Sequence, residues 1–148
     1  MPRLPVHFFS EDITFTLKQK EFVRNWINQT IISEGYRLNE LTFIFCSDEY
    51  LLNINREYLN HDTYTDIITF DNSETEGEIT GDIFISVERI RENAAKFKVS
   101  PTDELHRVII HGTLHLLGYP DKSKAEKALM TQKEDEYLLK RTKAFVEK

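Results

Sequence analysis

The sequence predicts an α+β fold: one domain in which a small mixed sheet of about four strands is covered, mainly on one side, by about five helices, one of them a central metal-binding helix. Three observations carry this. Short β-branched and aromatic runs at residues 6–10, 41–46, 67–70 and 82–86 interleave with longer stretches of helical periodicity. Their alternation lacks the strict strand–helix–strand rhythm of a parallel α/β protein. The 148 residues, read as one domain over 1–148, suffice for one substantial core, and no linker, repeat or low-complexity tract divides them.

Taken in order, residues 6–10 are aromatic and lie beside prolines, as suits an edge or first strand, with His7 on its surface. Thr16-Leu-Lys-Gln19 reads as a capping box opening a helix in which Phe22, Val23, Trp26, Ile27, Thr30 and Ile31 recur at helical spacing until Gly35. Trp26 is expected in the core. Residues 41–46 form a central strand with Cys46, the only cysteine, buried at its end. Ser47, followed by Asp48 and Glu49, caps a helix carrying Tyr50, Leu51, Ile54 and Tyr58, and the helix dipole alone accounts for the two carboxylates.

A polar loop, 59–66, leads into the strand 67–70, and an acidic loop, 72–81, returns to the strand 82–86, so these two strands pair antiparallel. Glu74, Glu76 and Glu78 are expected to form a solvated tip. Ser86 caps a helix over 87–98. Ser100-Pro101-Thr102-Asp103 then supplies a capping box and a first-turn proline for the next helix. Ser123-Lys-Ala-Glu126 opens the last one, whose Lys124, Lys127, Lys133, Lys140 and Lys143 alternate with acids and suggest a solvated face.

The helix opened by Ser100 holds the chemistry. Val108, Ile109, Ile110, Leu114, Leu116 and Leu117 leave it almost no polar arc, so it is expected to be buried on most sides. His111 and His115 stand four residues apart and can aim their imidazoles at one centre. Gly118 can end the helix and Pro120 cannot continue it, so the chain bends and delivers Asp121. Two imidazoles and a carboxylate are three metal ligands, and a fourth position open to water distinguishes a catalytic zinc site from a closed structural one. The competing reading makes the histidines satisfied core residues and Asp121 a turn residue.

Bulk properties narrow the function. A net charge of −6 excludes the overall positive field of a general nucleic-acid binder. No apolar run approaches the ~18 residues of a membrane helix, and the N-terminus lacks the apolar core of a secretion signal, which points to the cytoplasm and away from membranes. The cations available to RNA are Arg56, Arg89, Arg91, Lys96, Lys98 and Arg107, each an ordinary surface charge unless gathered around His111. His61 and His106 are further cleft candidates but not expected ligands.

His111-Gly-Thr-Leu-His115-Leu-Leu-Gly118-Tyr resembles the His-Gly-x-Leu-His-Leu-x-Gly-Tyr signature of the YbeY family of bacterial rRNA maturation factors. Tyr64-Thr-Asp-Ile-Ile-Thr-Phe70 is similar to that family's Pro-Thr-Asp-Val-Leu-Ser-Phe segment, and Gly81-Asp-Ile-Phe-Ile-Ser86 to its Gly-Asp-Ile strand. The resemblance implies an α+β domain with one zinc ion and a single-strand-specific endoribonuclease that matures the 3′ end of small-subunit rRNA and serves ribosome quality control. Its implied partners are rRNA and the small ribosomal subunit, with ribosomal or GTPase assembly proteins as further candidates. Two positions depart from the pattern. The family's usual third histidine is Asp121 here, a substitution that can shift preference from zinc toward manganese or iron. The arginine that often follows the tyrosine ending the second helix is Leu59, leaving Arg56, one turn earlier, as the candidate phosphate contact.

The residues nominate no general base, so water activated by the cation is the expected nucleophile. Two other functions fit the same ligands. One is a ribosome assembly factor with a structural metal and no catalysis. The other is a zinc peptidase-like hydrolase, although Gly112 stands where that motif carries its glutamate base.

Overall fold

The computed structural model describes residues 3–146, with side chains through Arg141, so Lys143 lies outside the described side chains. The elements run β1 (Val6–Ser10), α1 (Lys20–Ser33), β2 (Arg37–Cys46), α2 (Asp48–Tyr58), β3 (Ile67–Asp71), β4 (Glu78–Ser86), α3 (Val87–Phe97), α4 (Pro101–Leu116) and α5 (Lys124–Val146). The single sheet has the order β1-β2-β4-β3. β1 and β4 flank β2 in parallel, and β3 closes the edge antiparallel to β4 with Ile67 opposite Ile85 and Asp71 opposite Gly81. The mixed sheet and the antiparallel β3/β4 pair are as the sequence predicts.

Alternation along the strands sorts the two faces. Phe43, Phe45, Ile79, Ile83 and Ile85 point into the main core, where they meet Trp26 and Ile27 of α1, Ile90 of α3, Ile109 and Leu114 of α4 and Tyr137 of α5. Cys46, Ile68, Phe70 and Phe84 belong to a smaller cluster under α2. One face therefore carries four helices and the other carries α2 alone. Burial raises the Cys46 thiol to about 12, so it is an inert packing residue.

Helix starts show where local signals hold. Ser47, Ser86 and Ser100 each accept an amide of the first turn through Oγ. Ser123 and Glu126 form a complete reciprocal box, the carboxylate accepting the Lys122 and Ser123 amides. The box predicted at Thr16 to Gln19 does not form. Leu17 is drawn into the core, and α1 begins only at Lys20 after Gln19 in a left-handed conformation with no side-chain cap. Nor does Asp103 reach back to Ser100, because its carboxylate pairs with Arg141 at 2.9 Å.

Three charge expectations are also corrected. Asp48 does more than complement a helix dipole: it accepts the Ser86 hydroxyl and the Arg89 guanidinium, both at 2.8 Å, tying α2 to α3. Lys133 does not lie on a solvated face. It is partly buried against Glu34, whose carboxylate also accepts the Tyr119 and Tyr137 hydroxyls and so joins α5 to α1. The carboxyl of Glu34 is lowered, its burial outweighed by those hydroxyls and Lys133. Glu78, finally, belongs to β4 and pairs with Arg37 rather than lying at the loop tip.

Candidate metal centre

α4 lies flat on the sheet because Gly112 has no side chain. A Cβ there would stand 2.8 Å from Ile67 Cδ1 and 3.1 Å from Ile83, so only glycine permits this approach without repacking. The contact fixes the helix's rotation, and His111 and His115 are left part-exposed at 21% and 26% of their side chains.

The end of α4 then brings the third residue back. Gly118 adopts φ +98°, its amide bonding to the His115 carbonyl, while the Tyr119 amide bonds to that of Leu114. This is the paired closure of a left-handed glycine stop. The bend places Asp121 Oδ2 3.3 Å from Nε2 of His111 and 3.3 Å from Nε2 of His115. One donor atom from each of the three lies within 4.8 Å of the others, and the imidazole planes stand at 85°.

The donor chemistry fits a cation. His111 Nδ1 lies 2.7 Å from Glu134 Oε2 on α5, so it donates there and turns the lone pair of Nε2 toward Asp121. Carboxylate-bound imidazoles of this kind are typical of metal ligands, since the hydrogen bond fixes tautomer and orientation. Glu134 is 6% exposed and held in turn by Arg107 Nη1 at 2.8 Å. Arg107 Nη2 also reaches Asp135 at 2.6 Å.

Asp66, Glu104, Arg107, Asp121 and Glu134 line one cleft of about 270 Å³ beside His111. Four carboxylates face a single guanidinium already engaged by two of the protein's acids, so the cleft is strongly negative. Burial opposes a charge on His111, yet the Glu134 hydrogen bond, with the charges of Glu134, Asp121 and Asp66, outweighs it and holds the imidazole pKa above its ordinary value. Glu104 is pushed up by burial, reinforced by Asp66 and opposed by Arg107. Among the described residues, the Glu104 carboxylate has no hydrogen-bond or ion-pair partner.

The structure thus brings together the three residues predicted as a set, His111, His115 and Asp121. It does not bring Arg56 to them. That side chain pairs with Asp62 at 2.5 Å and lines a separate groove on the α2 face with Tyr58, Phe70 and Phe84. Leu59 is the part-exposed cap of α2. Of the other cations named from sequence, only Arg107 lines the cleft. Arg89 is bound to Asp48, and Lys96 lies over Phe97. His61 is exposed outside the cleft, and His106 is a core residue packed on Trp26.

Sequence reading missed Glu134, Glu104 and Asp66. Glu104 stands seven residues before His111, on the same helical face, which was a usable signal. Asp66 sits inside a segment already singled out. Nothing local marks Glu134, whose role exists only because α5 folds back along α4.

The family model for "Endoribonuclease YbeY" matches residues 6–142. A relative from Cytophaga hutchinsonii is 54% identical over 88% of this chain and 91% of its own length, and one from Flavobacterium psychrophilum is 52% identical over 88% and 92%; both are named endoribonuclease YbeY. The solution structure of TM1509 from Thermotoga maritima superposes with a TM-score of 0.66 at 22% identity, covering 96% of this chain and 92% of that one, and so shares the fold. A family match across nearly the whole described chain, with relatives above half identity, settles the assignment: this chain belongs to the endoribonuclease YbeY family.

Proposed function

We propose that this chain is a metal-dependent endoribonuclease acting on single-stranded RNA, that its work is maturation of the 3′ end of small-subunit rRNA, and that His111, His115 and Asp121 hold one divalent cation, zinc in the first instance. The whole of 1–148 then serves as one metallo-endoribonuclease domain, working in the cytoplasm with the small ribosomal subunit. The observation that carries this is the convergence of both Nε2 atoms on Asp121, with Glu134 behind His111. Among the described residues, no helix is long and apolar enough to cross a membrane.

A cation held by His111, His115 and Asp121 would supply Lewis acidity toward a phosphoryl oxygen and would depress the pKa of water toward ~7. The chain's own residues do the rest. Arg107 fixes Glu134, Glu134 fixes the tautomer of His111, and Asp121 contributes the negative charge that favours a cation over an anion between the imidazoles. Glu104 lines the cleft wall without a hydrogen-bond or ion-pair partner among the described residues, and burial raises its carboxyl above the ordinary value. The Asp66 carboxylate at the same cleft repels a bare phosphodiester, which makes RNA affinity depend on the charge state of the triad.

The geometry disfavours both rival functions. A structural metal is enclosed by its ligands, whereas side-chain exposures of 21%, 26% and 35% leave this triad open on one side. A peptidase needs a carboxylate at position 112, and the Gly112 Cβ direction runs into Ile67 and Ile83 of the sheet. The test is incubation of metal-loaded protein with single-stranded RNA, duplex RNA and an unfolded protein. Cleavage confined to single-stranded RNA and lost in His111→Ala supports the proposal, and proteolysis or metal-independent cleavage refutes it. End-group analysis resolves the attacking group, since a 2′,3′-cyclic phosphate excludes direct attack by water.

A further inference from the structure

A second cavity, of about 140 Å³, opens between the segment leading into α1, the first turn of α3 and the start of α4. It shares no lining residue with the metal cleft. Phe15, Leu17, Val87, Ile90 and Leu105 give it apolar walls, and His106 forms part of its base.

His106 is 3% exposed, and its protonation is settled by its neighbour. Nδ1 lies 2.8 Å from Arg141 Nη1, which can only donate, so Nδ1 accepts and the hydrogen sits on Nε2. Burial first, and then the Arg141 charge, depress the imidazole to about 4, with Asp103 opposing, so the ring is neutral at pH 7. Among the described residues Nε2 has no hydrogen-bond partner. Because Nδ1 is turned to Arg141, the Nε2–H edge is left to the cavity. A ring N–H with no protein acceptor, on a residue that lines the cavity, is free to donate to an acceptor on a ligand.

The mouth adds a second observation. Lys18 and Arg91 flank it, and both are exposed. Arg91 stands apart from the other described arginines: Arg3, Arg24, Arg37, Arg56, Arg89, Arg107 and Arg141 each pair with a carboxylate, and Arg91 pairs with none of the described residues. In a chain of net charge −6, two cations at the rim of an apolar cavity, neither paired with a carboxylate among the described residues, mark a place for an anion.

We propose that this cavity is a pyrimidine-nucleotide site: one ring between the apolar walls, a ring carbonyl accepting from His106 Nε2–H, and the phosphate between Lys18 and Arg91. Size selects the ring, since an apolar cavity of roughly 150 Å³ takes one benzene-sized ring and a purine carries two fused rings. The nucleotide is either a free monophosphate or one unit of a single-stranded RNA. The site is independent of the metal triad and stands or falls separately from it.

The test is calorimetric and NMR titration of the full chain with UMP, AMP, inorganic phosphate and a short oligouridylate. Saturable UMP binding that perturbs Leu105 and Ile90 but not His115 is expected, with AMP and phosphate at least about tenfold weaker. Tighter binding of oligouridylate than of UMP assigns the site to RNA, and equal binding assigns it to the free nucleotide. The exposed rim variants Lys18→Glu and Arg91→Glu should together weaken UMP at least about tenfold without unfolding the chain. His106→Gln, which keeps both the acceptor and the donor, should retain binding, and His106→Phe should lose it. No saturable UMP binding at millimolar concentration, equal affinity for phosphate or AMP, or binding indifferent to both rim charges would overturn the proposal.

Discussion

Glu134 Oε2 stands 2.7 Å from His111 Nδ1 across the α4–α5 interface, which makes Glu134 the residue that orients the His111 imidazole. In Glu134→Gln the hydrogen bond is weaker and the compensating charge is gone. Zinc affinity, read by competition with a chromophoric chelator, should fall roughly 10–100-fold. Unchanged affinity would show that the contact is only packing.

The raised pKa of His111 gives a pH dependence with a definite sign. In the metal-free protein the charged imidazole is favoured in the fold, so its stabilisation is complete below the unfolded histidine value of ~6.5 and disappears as pH rises through the higher folded value. Metal binding runs the other way, because the ligand must be unprotonated, and affinity should strengthen with rising pH over that same interval. Denaturant titration of metal-free wild type and His111→Gln at pH 6 and 8 checks the first statement: the difference between them should shrink at pH 8.

The proposed ligand role of Asp121 predicts how the choice of cation responds to its replacement. Removing tag-borne metal from consideration, elemental analysis of untagged Asp121→Ala should show loss of the bound ion. Asp121→His, an all-nitrogen triad, should shift preference toward zinc over manganese relative to wild type. Identical metal content in all three proteins would remove Asp121 from the coordination sphere.

Close packing of α4 on the sheet predicts the cost of two methyl groups. At Gly81 an added Cβ would lie 2.8 Å from the Phe70 carbonyl oxygen and 2.9 Å from Leu116, and at Gly112 it meets the flexible tip of Ile67. Gly81→Ala should therefore destabilise by about 2–3 kcal/mol and Gly112→Ala by about 1–2 kcal/mol in chemical denaturation. The reverse order would mean that the β3/β4 backbone yields more easily than the helix–sheet contact.

Legibility followed the range of each interaction. The His111, His115, Gly118 and Asp121 spacing could be read because one helical turn and one left-handed stop bring His111, His115 and Asp121 together within eleven residues. The serine caps at 47, 86, 100 and 123 were legible for the same reason. Thr16 misled, because burial of Leu17 outweighed a local cap worth about 1 kcal/mol. Lys133 misled because its alternation with acids is a pattern of sequence neighbours, while its partner Glu34 is the residue that caps the C-terminus of α1.

The amino-acid order alone determined the α+β class, the order of strands and helices, the antiparallel β3/β4 pair and the convergence of His111, His115 and Asp121, since each follows from periodicity, capping or residues close along the chain. Tertiary structure decided what surrounds that triad. Glu134 and Asp66 reach His111 from α5 and the β3 approach, Arg107 is committed to Glu134 and Asp135 rather than to RNA, and Arg56 faces another groove. These relations depend on which faces of distant elements meet, and burial across the whole core sets that meeting, not any local preference of the backbone.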